Sequence, residues 1–105
     1  MHVLLIKLSS MGDIIHTLPA ITDAMKFIPA LKITWVVEPG FAEIAHWHPA
    51  VVDVITMPLR KGTRKQVMQA ISQIRAKEYD MVIDAQGLIK SAVLSRLVRG
   101  KRRVG

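Results

Sequence analysis

Four short, mostly apolar runs, separated by stretches whose apolar residues recur every third or fourth position, constrain the fold of this chain most tightly. The runs are His2 to Leu8, Leu31 to Val37, Val51 to Met57 and Asp80 to Ala85. Each is too short for a globular helix and too continuously apolar to keep one face in water, so each reads as a buried strand. Between the first two, Ile14, Leu18, Ile21, Met25 and Ile28 are spaced to share one face of a helix. Pro19 falls inside that pattern. It belongs either to the first turn of a helix capped by Thr17 or to the interior of a helix begun nearer Asp13, and spacing leaves both open. Phe41 to Trp47 reads as a short helix stopped by Pro49. Thr63 and Gln66 have capping-box spacing ahead of Val67, Ala70, Ile71 and Ile74, which share a second helical face. After Gln86-Gly87, Ile89, Val93 and Leu97 predict a last helix. Strands alternating with helices in this rhythm imply right-handed βαβ units, an α/β fold with a Rossmann-like parallel sheet covered on both faces.

A length of 105 residues holds one core and not two complete domains. Half the residues are apolar and 22% are charged, which excludes an intrinsically disordered chain. Cysteine is absent from the sequence, which removes disulfides and thiolate zinc sites. No apolar run approaches the ~20 residues of a spanning helix, and Val3-Leu4-Leu5-Ile6 has no basic segment before it. The expectation is a chain that is neither exported nor membrane-spanning, with Met1 as its true N-terminus. The rhythm calls for a fifth strand where Lys101-Arg102-Arg103-Val104-Gly105 closes the sequence. The chain is therefore expected to be part of a larger domain, with an uncovered sheet edge that favours self-association.

The sequence carries 15 Lys and Arg against 8 Asp and Glu, a net charge of +7. Two clusters hold most of the excess: Arg60, Lys61, Arg64 and Lys65, and Arg96, Arg99, Lys101, Arg102 and Arg103. The six basic residues elsewhere are outnumbered by the eight acidic ones. Such placement points to two local anion sites rather than one continuous basic face. The first cluster follows a strand end, from which it can bind phosphate or carboxylate, or stand as a solvated loop. The second also fits a basic helix end that complements its own dipole.

Ser9-Ser10-Met11-Gly12-Asp13 follows the first strand, at the edge where open α/β sheets place their ligands. Asp13 can cap or stabilise the following helix, or act as a general base towards a substrate hydroxyl. Asp84-Ala85-Gln86-Gly87 lies at the equivalent end of the fourth strand, so Asp84, Gln86 and Lys90 can face the same crevice. An ordinary strand-to-helix turn is the alternative there. His46-Trp47-His48 lacks a third metal ligand at a familiar spacing and reads as packing. Neither a G-x-G-x-x-G, a P-loop nor a G-x-S-x-G elbow occurs.

The blocks from Val3 through Ala20, Trp35-Val36-Val37-Glu38 and Val82 through Ser91 together resemble the heptosyltransferases of glycosyltransferase family 9. The likeness runs through the whole chain and covers about the first third of such an enzyme. It implies a GT-B architecture, two Rossmann-like domains facing a cleft, of which residues 1–105 are part of the N-terminal, acceptor-side domain. The donor-binding C-terminal domain is absent, so the isolated chain is expected to be inactive. The implied reaction is transfer of heptose from ADP-heptose to Kdo of Kdo2-lipid A, with inversion and with neither a metal nor another cofactor. The resemblance places the general base on Asp13 and lines the cleft with Ser9, Ser10, Met11 and Gly12, while Lys7 shapes the site. It assigns the acceptor's anionic groups to Arg60, Lys61, Arg64 and Lys65, although the stretch after Gly62-Thr63 is shorter than in that family. It also implies a cytoplasmic protein peripheral to the inner membrane. A family member with a heptose acceptor is the near alternative. A non-catalytic module binding nucleic acid or an anionic surface is the alternative from another class. With one Tyr, two Trp and two Phe in the sequence, and none of them inside a basic cluster, base stacking has no platform and nucleic acid is not the expected partner.

Overall fold

In a computed structural model, which describes residues 1–58, 62–85 and 103–104, the apolar runs form one parallel sheet. Its elements are β1 (His2–Ile6), α1 (Met11–Phe27), β2 (Lys32–Val37), a 3₁₀ turn (Pro39–Phe41), α2 (Ala42–Ala45), β3 (Val51–Thr56), α3 (Arg64–Arg75), β4 (Met81–Asp84) and β5 (Arg103–Val104). The spatial order is β3-β2-β1-β4-β5, and every pairing is parallel. The chain steps from β1 outward to β2 and β3, then returns past β1 to add β4. That reversal makes the carboxyl ends of β1 and β4 the topological switch point, the place where such sheets bind ligands.

Alternation along β1 divides the core between the two faces of the sheet. Leu4 and Ile6 face the cluster that receives Ala70 and Ile74 of α3, with Val36, Ile55, Met57 and Val82. Val3 and Leu5 face the other cluster, which holds Ile14 and Ile21 of α1 with Ile33, Trp35, Val37 and Ala45. Successive strand side chains point to opposite faces, so a central strand apolar at every position must be covered twice. Helical spacing delivered the expected faces: Leu18, Met25 and Ile28 pack beside Ile14 and Ile21, and Val67 and Ile71 beside Ala70 and Ile74.

The structure moves several predicted boundaries. Lys7 and Leu8 lie beyond β1, although hydrogen bonds continue there. In place of the helix expected from Phe41 to Trp47, residues 39–45 form a 3₁₀ turn and a single helical turn, with Pro39 at the entry and His46 and Trp47 in a turn beyond. Pro19 sits in the middle of α1, so the helix begun near Asp13 is the one that forms. Its missing N–H leaves the Ile15 carbonyl without the usual α-helical donor. The fifth strand that the rhythm calls for forms at Arg103 and Val104, which pair with Val82 and Ile83 of β4. The predicted helix carrying Ile89, Val93 and Leu97 lies outside the described residues, as do Arg96, Arg99, Lys101 and Arg102. Among the described residues no helix is long and apolar enough to cross a membrane.

Two histidines tie elements together in their neutral form. His48, 8% exposed, accepts the Ala50 N–H on Nδ1 at 3.0 Å and shares a 2.8 Å bond from Nε2 to the Thr22 hydroxyl of α1. With Nδ1 occupied as an acceptor, Nε2 is the donor, and a second proton has no place. Of the His46-Trp47-His48 run, whose spacing reads as packing, only His48 packs; His46 and Trp47 are exposed, Trp47 at 65%, and among the described residues no three-residue metal cluster exists. His2 bonds the buried Thr34 hydroxyl at 2.7 Å and lies against the Tyr79 ring at 4.8 Å. Burial lowers the pKa of both histidines below the ordinary 6.5. These two side chains therefore bind protons more readily in the unfolded chain, and their contribution to stability is fully present above pH 6.5 and is lost as pH falls through the lowered folded values. The urea midpoint of the chain is expected to hold steady above neutrality and drop below that pH. His48→Gln is expected to flatten part of the drop, and an unchanged pH slope in that variant would reject the assignment.

Candidate active site

The segment from Lys7 to Asp13 leaves the sheet at the switch point and turns directly into α1. Ser10 occupies the N-cap position with extended backbone, and Met11, Gly12 and Asp13 form the first turn. Asp13 is therefore not the cap. Its carboxylate is exposed in the third helical position, where an anion also complements the helix dipole. The Ser10 side chain makes no capping bond and instead donates from Oγ to Asp13 Oδ2 at 3.4 Å. The Asp13 carbonyl receives the Thr17 hydroxyl at 2.7 Å. Ile14, the next residue, is fully buried and bonds its N–H to the Ser10 carbonyl at 2.9 Å. One residue thus anchors the turn in the core while its neighbour presents a carboxylate to solvent.

Space around the turn is open. A Cβ added at Gly12 would meet nothing within 4 Å. The amides of a first helical turn have no intrahelical acceptor, and without a Ser10 side-chain cap they face outward for a ligand or water. Lys7 reaches across to the neighbouring strand end, donating from Nζ to the Ala85 carbonyl at 3.2 Å. The Ala85 N–H in turn bonds the Ile6 carbonyl at 3.0 Å. Asp84, half-buried, pairs in register with Ile6 on the strand beside β1. The structure therefore brings together Lys7, Ser9, Ser10, Met11, Gly12, Asp13 and Asp84, while Gln86 and Lys90 lie outside the described residues.

The first basic cluster stands at the same carboxyl edge, two strands away, beyond β3. Arg64 and Lys65 open α3 and are exposed, whereas Arg60 and Lys61 lie outside the described residues. The capping box forms as its spacing predicted: Thr63 Oγ1 accepts the Gln66 N–H at 3.2 Å, and Gln66 Oε1 accepts the Thr63 N–H at 2.9 Å. Gly62 N–H closes the preceding turn on the Pro58 carbonyl at 2.9 Å, and a Cβ on Gly62 would fall 2.2 Å from that oxygen. Two cations and no acid in a first helical turn oppose the dipole, a placement that favours receipt of an anion.

One contributor escaped the reading of the sequence. Trp35, there a strand residue and part of one resembling block but given no role in the site, is fully buried and donates from Nε1 to the Lys7 carbonyl at 3.0 Å. No spacing signal reveals a bond between side chain and backbone 28 positions apart.

Comparison with known proteins gives concordant results. The family model for glycosyltransferase family 9 (heptosyltransferase) matches residues 67–105. The chain is 51% identical to lipopolysaccharide heptosyltransferase 1 of Pseudomonas aeruginosa, covering 93% of itself and 30% of that protein. It is 50% identical to the enzyme of the same name from Escherichia coli K12, over 95% of the chain and 34% of the relative. The structure of E. coli heptosyltransferase WaaC with ADP superimposes with a TM-score of 0.88 at 48% identity, over 97% of this chain and 35% of that one. A family 9 glycosyltransferase from Veillonella parvula, 18% identical, shares the fold with a TM-score of 0.86. The chain spans about a third of the length of the relatives it matches. By sequence and by fold, this chain is similar to about a third of the length of the family 9 heptosyltransferases.

Proposed function

We propose that the chain is the acceptor-side part of an inverting heptosyltransferase of GT-B architecture, acting in synthesis of the lipopolysaccharide inner core at the cytoplasmic face of the inner membrane. The donor is ADP-heptose and the acceptor is Kdo of Kdo2-lipid A. The observation that carries this reading is the Asp13 carboxylate, exposed at the switch point on a turn whose next residue is locked in the core. Relatives that are heptosyltransferases by name, and a solved relative holding ADP-2-deoxy-2-fluoro heptose, support the donor class.

In the proposed reaction Asp13 accepts the proton of the attacking Kdo hydroxyl as its oxygen bonds to the anomeric carbon of heptose. The bond from that carbon to the diphosphate breaks on the opposite face, which inverts the configuration, and ADP departs with the electron pair. Outward-facing amides at Met11 and Gly12 lie where sugar and diphosphate oxygens can approach, Asp84 stands at the same edge, and Gln86 and Lys90 are assigned substrate contacts on the resemblance alone. Arg60, Lys61, Arg64 and Lys65 hold the acceptor's anionic groups. No resident cofactor takes part. Stabilisation of the leaving diphosphate comes from the donor-side domain, so the 105-residue chain by itself does not turn over and associates with copies of itself.

The test is a chimera in which this chain replaces the matching third of E. coli K12 heptosyltransferase 1. Heptosyl transfer to Kdo2-lipid A is expected from the chimera and not from the isolated chain. Failure of the folded chimera to transfer heptose would reject the reading, and transfer only to a heptose-terminated acceptor would assign the alternative acceptor.

A further inference from the structure

We propose that Trp35 is a positioning residue for the turn that carries Asp13, acting through its indole N–H on the Lys7 carbonyl; this rests on the reading of Asp13 as the base. The argument begins where the sheet ends. β1 and β2 pair in register from His2 opposite Lys32 to Ile6 opposite Val36. The Lys7 N–H extends that ladder, bonding the Val36 carbonyl at 3.2 Å. In a regular parallel ladder the Lys7 carbonyl would then accept the Glu38 N–H. Instead the Glu38 N–H goes one residue further, to the Leu8 carbonyl at 3.0 Å. The ladder slips by one position, and the Lys7 carbonyl is handed to the indole of Trp35 at 3.0 Å.

This slip sits where the chain departs for Ser9 to Asp13. A part-buried peptide carbonyl taken out of the ladder needs another donor, and the one supplied here is rigid. Trp35 has two side-chain torsions and is fully buried in the cluster that also holds Ile14, the residue after Asp13. The same side chain therefore fixes the turn at both ends: by hydrogen bond at Lys7 and through the shared core at Ile14. On the opposite side the Lys7 ammonium is tied to Ala85 at the end of β4. The exit of β1 is clamped between its two neighbours, and the indole N–H is the part of the clamp that a change of side chain can remove without emptying the core.

The test uses two replacements. Trp35→Phe retains an aromatic ring but removes the donor. Benzothienylalanine, introduced at position 35 alone by codon suppression, keeps the bicyclic outline with sulfur in place of the N–H, so it decides the question even where the phenylalanine variant folds poorly. On the chain itself, amide exchange from Lys7 to Ile14 is expected to rise ~10-fold relative to amides in the middle of β2. In the chimera, kcat is expected to fall ~10-fold while both KM values and the pH profile of kcat stay in place, as for a displaced but chemically unchanged base. Exchange that rises evenly across all strands, or does not rise, would assign Trp35 to packing alone and overturn the proposal, as would parental kcat in the benzothienyl variant. A parent chimera that does not transfer heptose would reject the functional reading, while the exchange measurement still decides whether the indole holds the turn.

Discussion

Asp13→Asn in the chimera is expected to lower kcat by ~10² to 10⁴, the usual contribution of a positioned general base, with donor binding unchanged. The substitution preserves shape. Asparagine can still receive the Ser10 hydroxyl through its carbonyl oxygen, and the Thr17 bond to residue 13 involves only backbone on that side. What disappears is the negative charge and the ability to take a proton. Loss of the favourable interaction with the α1 dipole costs about 0.3–1 kcal/mol at an exposed first-turn position, a shift in melting temperature of a few degrees. The two roles open to Asp13 thus predict different experiments: a helix-stabilising aspartate loses a little stability and no chemistry, whereas a base loses its rate at nearly constant stability. Near-parental turnover at saturating acceptor would return Asp13 to the structural role.

The sequence yields the strands and helix faces because burial on both sides of a parallel sheet leaves almost no polar residue in β1, and because α1 and α3 must each turn one stripe to it. Ends of elements are less legible, since they depend on which distant group completes the backbone bonds. Lys7 illustrates this: its N–H continues the β1–β2 ladder while its carbonyl leaves it, a division decided by an indole in another strand. Pro19 was ambiguous for a related reason. A proline is compatible with a first turn, and only packing of Ile14 ahead of it shows that the helix starts earlier. In the candidate site, position along the sheet can be read from strand ends, which places Asp13 just after β1 and Asp84 at the end of β4, the strand beside it. Asp13's place in the first turn rather than at the cap required the backbone of Ser10. Chemistry beyond position, including the choice of ADP-heptose and Kdo, came from resemblance, because no spacing of a carboxylate and two serines distinguishes one sugar from another.

Replacing Arg60, Lys61, Arg64 and Lys65 together with glutamine in the chimera is expected to raise the acceptor KM by ~10² or more with kcat and donor KM nearly unchanged. Each well-formed charge-assisted hydrogen bond contributes about 1.5–3 kcal/mol, so losing two suffices even after solvent screening reduces them. Stability is expected to move the other way. Arg64 and Lys65 sit in the first turn of α3, where cations oppose the dipole, and the Thr63–Gln66 capping box that holds the turn is untouched. A melting temperature that holds or rises, combined with weaker acceptor binding, identifies side chains kept for a ligand at some expense of the fold. A solvated loop predicts no change in KM, and that result would remove the cluster from the site. Binding of a short DNA duplex by the parent chain separates the remaining possibility: salt-sensitive affinity at micromolar strength, lost in the glutamine variant, would favour a nucleic-acid module over an acceptor grip. The expectation is negligible duplex binding, because the aromatic residues of β2 and of the turn after α2 lie away from this cluster in sequence and Trp35 is sealed inside the core.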